Sequence, residues 1–286
     1  TTEGSLSEIN NNLQRVRELT VQAANGSNSA SDLKSIQDEI AQRLEEIDRV
    51  SEQTQFNGVK VLAKNSTLSI QIGANDNETI DINLQKITAG ELGLGGFSVS
   101  GPTTNAAGAI TKADGTVAGA VGAAEFKDSF GASTQFNKSA VTFAAGEAAS
   151  LGKSLGIADS KISAGATLTE DGNGNWFAKV SIAAIDATEA ENLKSRGITE
   201  GVGGTVVATG ASLDFYVAVN PEDYTAASNG TDTANYQLSG ISVKSLTTGS
   251  TSDPLKTLDD ALAKIDGFRG ELGAVQNRFQ STIANL

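Results

Sequence analysis

The two ends of this chain carry matched amphipathic patterns, and that pairing most limits how it can fold. Near the start, Leu6, Ile9, Leu13 and Val16 recur at helical spacing; near the end, Leu258, Ile265, Leu272, Phe279 and Leu286 fall every seven residues. Each pattern predicts a helix whose apolar seam needs a partner. The residues between show no such period. The ends are therefore expected to meet in a helical bundle that holds the middle of the chain out as an insertion. Such a plan points to a rod-like assembly protein.

The composition excludes several classes. The chain has 286 residues, enough for two or three domains, and a formal charge of −13. It has no Lys/Arg block, so nucleic acid is not an expected partner. It has no Cys and no His, which removes disulfides, thiolate chemistry, the commonest general base and the commonest metal ligand. No stretch approaches the roughly 20 apolar residues of a membrane span. No catalytic motif, cofactor site or metal site is expected, so the chain reads as a non-enzyme. Sparse aromatics and abundant small polar residues suit an extracellular surface protein.

Along the chain, a first helix runs to about residue 24 and is broken by Asn25-Gly26. A second starts near Ser29, with Ser29 and Asp32 as a capping box and Leu33, Ile36, Ile40, Leu44 and Ile47 as its apolar stripe. Asn57-Gly58 is a turn signal. Alternation at Leu68, Ile70, Ile72 and at Ile80, Ile82, Leu84, around the polar run GANDNE, predicts a β-hairpin at about 66–85. Gly-rich ELGLGGFSVSGP marks a boundary. Strands are expected at 140–144, 176–182, 213–219 and from Tyr236 to Val243, with a short helix at 187–197; residues 103–125 are nearly featureless. Asp253 as N-cap and Pro254 as first residue open the last helix. The fold class is thus α+β and multidomain. Residues 1–95 and 251–286 form a long antiparallel helical rod domain with a β-hairpin, and 96–250 form a β-rich outer insertion of one domain or two.

Two spacings invite a site and are better read otherwise. Asp171, Asn173 and Asn175 stand at i, i+2 and i+4, as in a calcium loop, but the sixth position is Trp176 and the twelfth Ile182, so a hairpin turn is expected. Arg269 and Gln276 occupy seam positions of the last helix; they either snorkel at the bundle edge or set the helix register.

The segments LQRVRELTVQAANGSNS, IQDEIAQRLEEIDRVSEQTQFNGVKVL, PLKTLDDALAKID and GAVQNRFQSTIANL resemble bacterial flagellin, most closely the enterobacterial type. The resemblance covers about residues 1–90 and 253–286. It implies a structural subunit of the extracellular flagellar filament, in which both chain ends build the inner rod and a variable middle faces outward. It also implies a core fragment without the terminal polymerisation segments and export signal, monomeric as it stands. Implied partners are other flagellin subunits, the host's flagellin-sensing Toll-like receptor and, for the intact protein, a secretion chaperone and the filament cap. An adhesin-like module that binds the host through its outer β-domain is the alternative reading.

At 100° per residue, Glu8, Asn11, Arg15 and Gln22 lie opposite the first helix's seam, with Leu19 beside Arg15 about 90° from the seam centre. Glu39, Arg43, Glu46 and Val50 form a flanking stripe on the second helix. Spacing alone favours a solvated face with i,i+4 ion pairs. The resemblance carries more: QRVREL and the Glu of IQDEI map the family's receptor contact onto Gln14, Arg15, Leu19 and Glu39, with Gln22 and Arg43 beside them. The same surface is implied in subunit–subunit contact.

Overall fold

A computed structural model of the chain describes residues 2–56, 58–71, 79–112, 114–226 and 232–285. The fold is mixed α+β, with long terminal helices that pack together and small β-sheets in the middle. Two compact units are present. One comprises Thr1–Asn28, Ser35–Leu94 and Leu255–Leu286; the other comprises Ser29–Lys34 and Gly95–Pro254.

In the first unit, α1 spans Thr2–Ala23 and stops before Asn25-Gly26; α2 spans Ala30–Gln53. The α2 start is capped as the spacing predicts: Ser29 N donates to Asp32 Oδ2 (2.9 Å), and Asp32 N donates to Ser29 Oγ (3.2 Å). Strands β1 (Gln55–Phe56) and β2 (Val59–Lys60) pair across the Asn57-Gly58 position, and β3 (Ser66–Gln71) pairs antiparallel with β4 (Thr79–Leu84), Ile70 facing Ile80 and Leu68 facing Ile82. Asn57, Ile72, the GANDNE turn and Leu286 lie outside the described residues.

Among the described residues, five short helices and six strands follow before the long last helix. In order they are α3 (Ala123–Phe130), β5 (Lys138–Phe143), α4 (Glu147–Leu155), β6 (Ile162–Glu170), β7 (Trp176–Ile182), α5 (Ala187–Ser195), β8 (Leu213–Val219), β9 (Tyr224–Ala226), β10 (Thr233–Leu238) and α6 (Val243–Thr248), with a 3-10 turn at Asp159–Lys161 as the fifth helix. Helix α7 then runs Pro254–Asn285. Pro254 opens it as expected, but Asp253 sits at φ 46°, outside the extended conformation of an N-cap.

Helix α1 runs antiparallel to both α2 and α7, and the register is legible in their polar contacts. Between α1 and α7, Asn10 Nδ2 donates to Asp266 Oδ1 (3.4 Å) and Arg17 Nε to Asp259 Oδ1 (2.8 Å). Between α1 and α2, Arg15 meets Glu39 and Asn12 meets Arg43. Helix α1 is thus flanked on two sides. Its buried residues are Leu6, Ile9, Asn10, Asn12, Leu13, Val16, Leu19 and Thr20; those of α2 are Ile36, Ile40, Ile47, Val50 and Ser51; and α7 buries Leu258, Ala261, Ile265 and Phe268.

The second unit holds two three-stranded sheets, ordered β6-β7-β8 and β5-β10-β9. The first is antiparallel throughout; in the second, β5 runs parallel to β10. Strand β8 alternates as its sequence does, with Leu213, Phe215, Val217 and Val219 buried. The DGNGNW segment is the β6–β7 turn. Asp171 Oδ1 accepts from the backbone N–H of Asn173 (2.8 Å) and Asn175 (3.2 Å), and Asp171 Oδ2 accepts from Asn175 Nδ2 (2.9 Å). The carboxylate is spent on the turn itself. The run from Tyr236 to Val243 is strand only to Leu238: Ser242 caps α6 by accepting from Ser245 N (3.0 Å).

Glu189 is a buried carboxylate that this unit uses for structure. It accepts from Ala158 N (3.0 Å), Asp186 N (2.8 Å) and Lys161 Nζ. Burial pushes its pKa up, but these donors outweigh burial and hold it down at about 2. A folded-state pKa below the unfolded value adds stability that is present above the unfolded pKa and lost as pH falls through about 2. Glu189→Gln is therefore expected to destabilise the unit by roughly 1–3 kcal/mol at pH 7. Urea melts at pH 7 and pH 3 check this: the gap between the two proteins narrows at the lower pH, and a gap that does not change with pH contradicts the assignment.

Candidate functional site

The exposed faces of α1 and α2 carry the residues that the sequence singles out. Arg15 reaches across to α2 with its fork: Nε donates to Glu39 Oε1 (2.9 Å) and Nη2 to Glu39 Oε2 (3.3 Å). Its third nitrogen, Nη1, donates to Glu18 Oε2 (3.2 Å). Both partners remain partly in solvent, with side-chain exposures of 43% for Arg15 and 35% for Glu39. The hydrogen bond to Glu39 is the main cause that raises the Arg15 pKa, and the hydrogen bond from Arg15 is the main cause that lowers that of Glu39. Both groups are therefore fixed in their charged forms. Arg43 extends the network: Nη2 lies 3.8 Å from Glu39 Oε1, and Nη1 donates to Asn12 Oδ1 (3.3 Å). Gln14 and Gln22 are exposed on α1, and Gln14 Nε2 donates to Asn10 Oδ1 (2.8 Å).

Leu19 departs from its expected place. It is 2% exposed and belongs to the core, not to an open contact patch. The reason is the double flanking of α1. Setting Arg15 at 0°, the buried arc runs from Leu19 at about 40° to Asn10 at about 220°, close to half the helix circumference. That is much wider than the seam of a two-helix pair, and Leu19 falls inside its rim. Val50, placed on the flanking stripe of α2, is likewise buried at 6%. Sequence reasoning also missed Glu18 and Asn12, which hold Arg15 and Arg43. The i,i+3 spacing of Arg15 and Glu18 was the available signal for the first.

Arg269 and Gln276 line a cavity of about 460 Å³, together with Leu6 and Leu84 and with Leu272 and Phe279 of α7. Arg269 Nε is buried with no hydrogen-bond partner among the described residues, while Nη1 lies 4.0 Å from Asp266 Oδ1 and the side chain is 39% exposed. That is the snorkelling arrangement. Among the described residues, no group of three or more acidic side chains is placed to hold a metal ion.

Apolar seams between α1 and the two helices antiparallel to it, a charge-paired ribbon outside them and a β-rich unit inserted in the same chain define a helical assembly subunit. Residues 1–67 match the family model described as the bacterial flagellin N-terminal helical region. The flagellin of Salmonella typhimurium is 37% identical over an alignment that covers all of this chain and 74% of that protein. That of Salmonella berta is 63% identical over 44% of this chain and 26% of that protein. Among solved structures, FliC from Burkholderia pseudomallei is similar at 21% identity and a TM-score of 0.41, over 97% of this chain and 96% of that one. The chain belongs to the flagellin family. Flagellin is the structural, non-enzymatic subunit of the extracellular flagellar filament and serves motility.

Proposed function

We propose that residues 1–95 and 251–286 act as the rod domain of a filament subunit, and that 96–250 form its outward-facing, variable part. Copies pack side to side in a heterologous contact that does not close, so assembly extends as a filament. The outer face of α1 and α2 serves two partners in turn. In the filament, Gln14, Arg15, Gln22, Glu39 and Arg43 contact neighbouring subunits. On the free subunit the same residues meet the host's flagellin-sensing Toll-like receptor, with Leu19 setting the spacing beneath them. A secretion chaperone and the filament cap are further partners of the intact protein.

The observation that carries this reading is the bidentate Arg15–Glu39 pair. It joins two helices, stands at the surface and holds an arginine fork in one orientation before any partner arrives. Exposed ion pairs of this kind are screened by solvent and do little for stability. The test is binding of the chain to the receptor ectodomain, beside Arg15→Ala and Glu39→Ala. Each variant is expected to weaken binding tenfold or more, about 1.4 kcal/mol, with an unchanged melting curve. A folded chain that does not bind, or variants that bind like the parent, would remove the receptor from the proposal.

A further inference from the structure

The two passages of chain that open and close the β-rich unit, near residues 98–102 and 248–251, are fastened to each other. Ser98 N donates to Thr251 Oγ1 (2.9 Å), and Thr251 N donates back to Ser98 O (2.8 Å), across 153 residues of sequence. Ser98 Oγ also accepts from Gly101 N (3.1 Å). Ser98 is 2% exposed and Ser250 7%, and Thr251 and Gly101 are partly buried beside them. Two glycines let the backbones meet. Gly101 stands at φ 69° and Gly249 at φ 66°, both in the left-handed region. A Cβ on Gly101 would overlap the Thr248 carbonyl oxygen, and one on Gly249 would lie 2.7 Å from Pro102 Cδ. Each glycine is therefore required twice over, by its backbone angle and by the close approach.

We infer that this crossing is a clasp that closes the β-rich unit at its base and makes it a cooperative unit of its own, which stays folded when the helices melt. The physical ground is fraying: neither passage can leave the fold alone, because the reciprocal Ser98–Thr251 hydrogen bonds and the close packing at Gly101 and Gly249 must break together. The clasp draws all its partners from within the unit, so its hold does not depend on the helices. A unit closed in this way stays intact whether or not the helical unit has formed.

The chain carries its own reporter, because its single tryptophan, Trp176, lies in the core of this unit at 1% exposure. Thermal melts of the full chain are followed by Trp176 fluorescence and by circular dichroism at 222 nm, which the long helices dominate. The expected result is two transitions that do not coincide. Gly101→Ala and Thr251→Val are expected to lower the Trp176 midpoint by about 5 °C or more and leave the helical midpoint in place. Thr251→Ser, which keeps the hydroxyl acceptor, is expected to restore it. Gly131→Ala is the control: Gly131 also has a positive φ, 87°, but open space around its Cβ position. Coincident transitions overturn the inference. So does a Gly101→Ala shift no larger than that of Gly131→Ala, or a Thr251→Val protein that melts like the parent.

Discussion

Leu13→Ala is expected to destabilise the helical unit by about 2–5 kcal/mol, seen as a lower urea midpoint at 222 nm. Leu13 is fully buried. The Arg15–Glu39 and Asn12–Arg43 contacts set it level with Ala41 and Gln42, next to the buried Ile40, and the Asn10–Asp266 and Arg17–Asp259 contacts set it between Ala261 and Ile265. It thus stands in the buried seam of a helix that is flanked on two sides. Truncation forfeits the transfer free energy of the lost carbons and leaves a void that three rigid backbones cannot close. Gln14→Ala, one residue away and exposed, is the control and is expected to stay within about 0.5 kcal/mol of the parent. A Leu13→Ala cost below about 1 kcal/mol would mean that the seam is loosely packed and that the register read from the polar contacts is wrong.

The counterpart in the β-rich unit is Phe126→Ala, with an expected cost of about 3–5 kcal/mol. Phe126 is fully buried at the centre of an aromatic cluster. Its ring stands edge-on to Trp176 with centroids 5.2 Å apart, tilted to Phe136 at 5.7 Å and stacked near Phe130 at 6.1 Å. Such pairs add about 0.5–1.5 kcal/mol each beyond the area they bury. The loss is expected to show in Trp176 fluorescence, as a red-shifted native spectrum and an earlier transition. Phe126→Leu, which refills part of the volume, is expected to recover about half the loss. If the native spectrum is unmoved by Phe126→Ala, the T-shaped contact with Trp176 is not made in solution.

The elements with a long, single period were legible in the residues. Heptads predicted α1 and α7, an apolar stripe predicted α2, alternation predicted β3 and β4 as a hairpin, and the runs at 176–182 and 213–219 predicted β7 and β8 to their end residues. The rest lacked a period to read. Helix α4 spans only Glu147–Leu155 and lies between two left-handed glycines, Gly146 and Gly156, so it offers barely two turns of pattern. Strand β6 is Ser-, Ala-, Gly- and Thr-rich, and its pairing slips between Ala164 and Leu168, which breaks the alternation. The parallel pairing of β5 with β10 joins residues 95 apart and has no local signature. At the α1–α2 face, Gln14, Arg15 and Gln22 lie in the open, as helical spacing required. Leu19 does not, because a helix flanked twice, as α1 is, buries a wider arc than its own strongest seam suggests, and Val50 near the end of α2 is buried as well.

The antiparallel match of α1 with α7 also sets an order in time. The α7 residues that stand level with Leu6, Ile9 and Leu13 come more than 240 residues later in the chain. At about 5–20 residues per second, roughly 10–50 seconds separate the synthesis of the α1 seam from that of its α7 partner. The β-rich unit, fastened by Ser98 and Thr251, has all its residues by then. Whenever the chain emerges from its N-terminal side, the β-rich unit can therefore close first, and the apolar face of α1 waits uncovered until α7 follows.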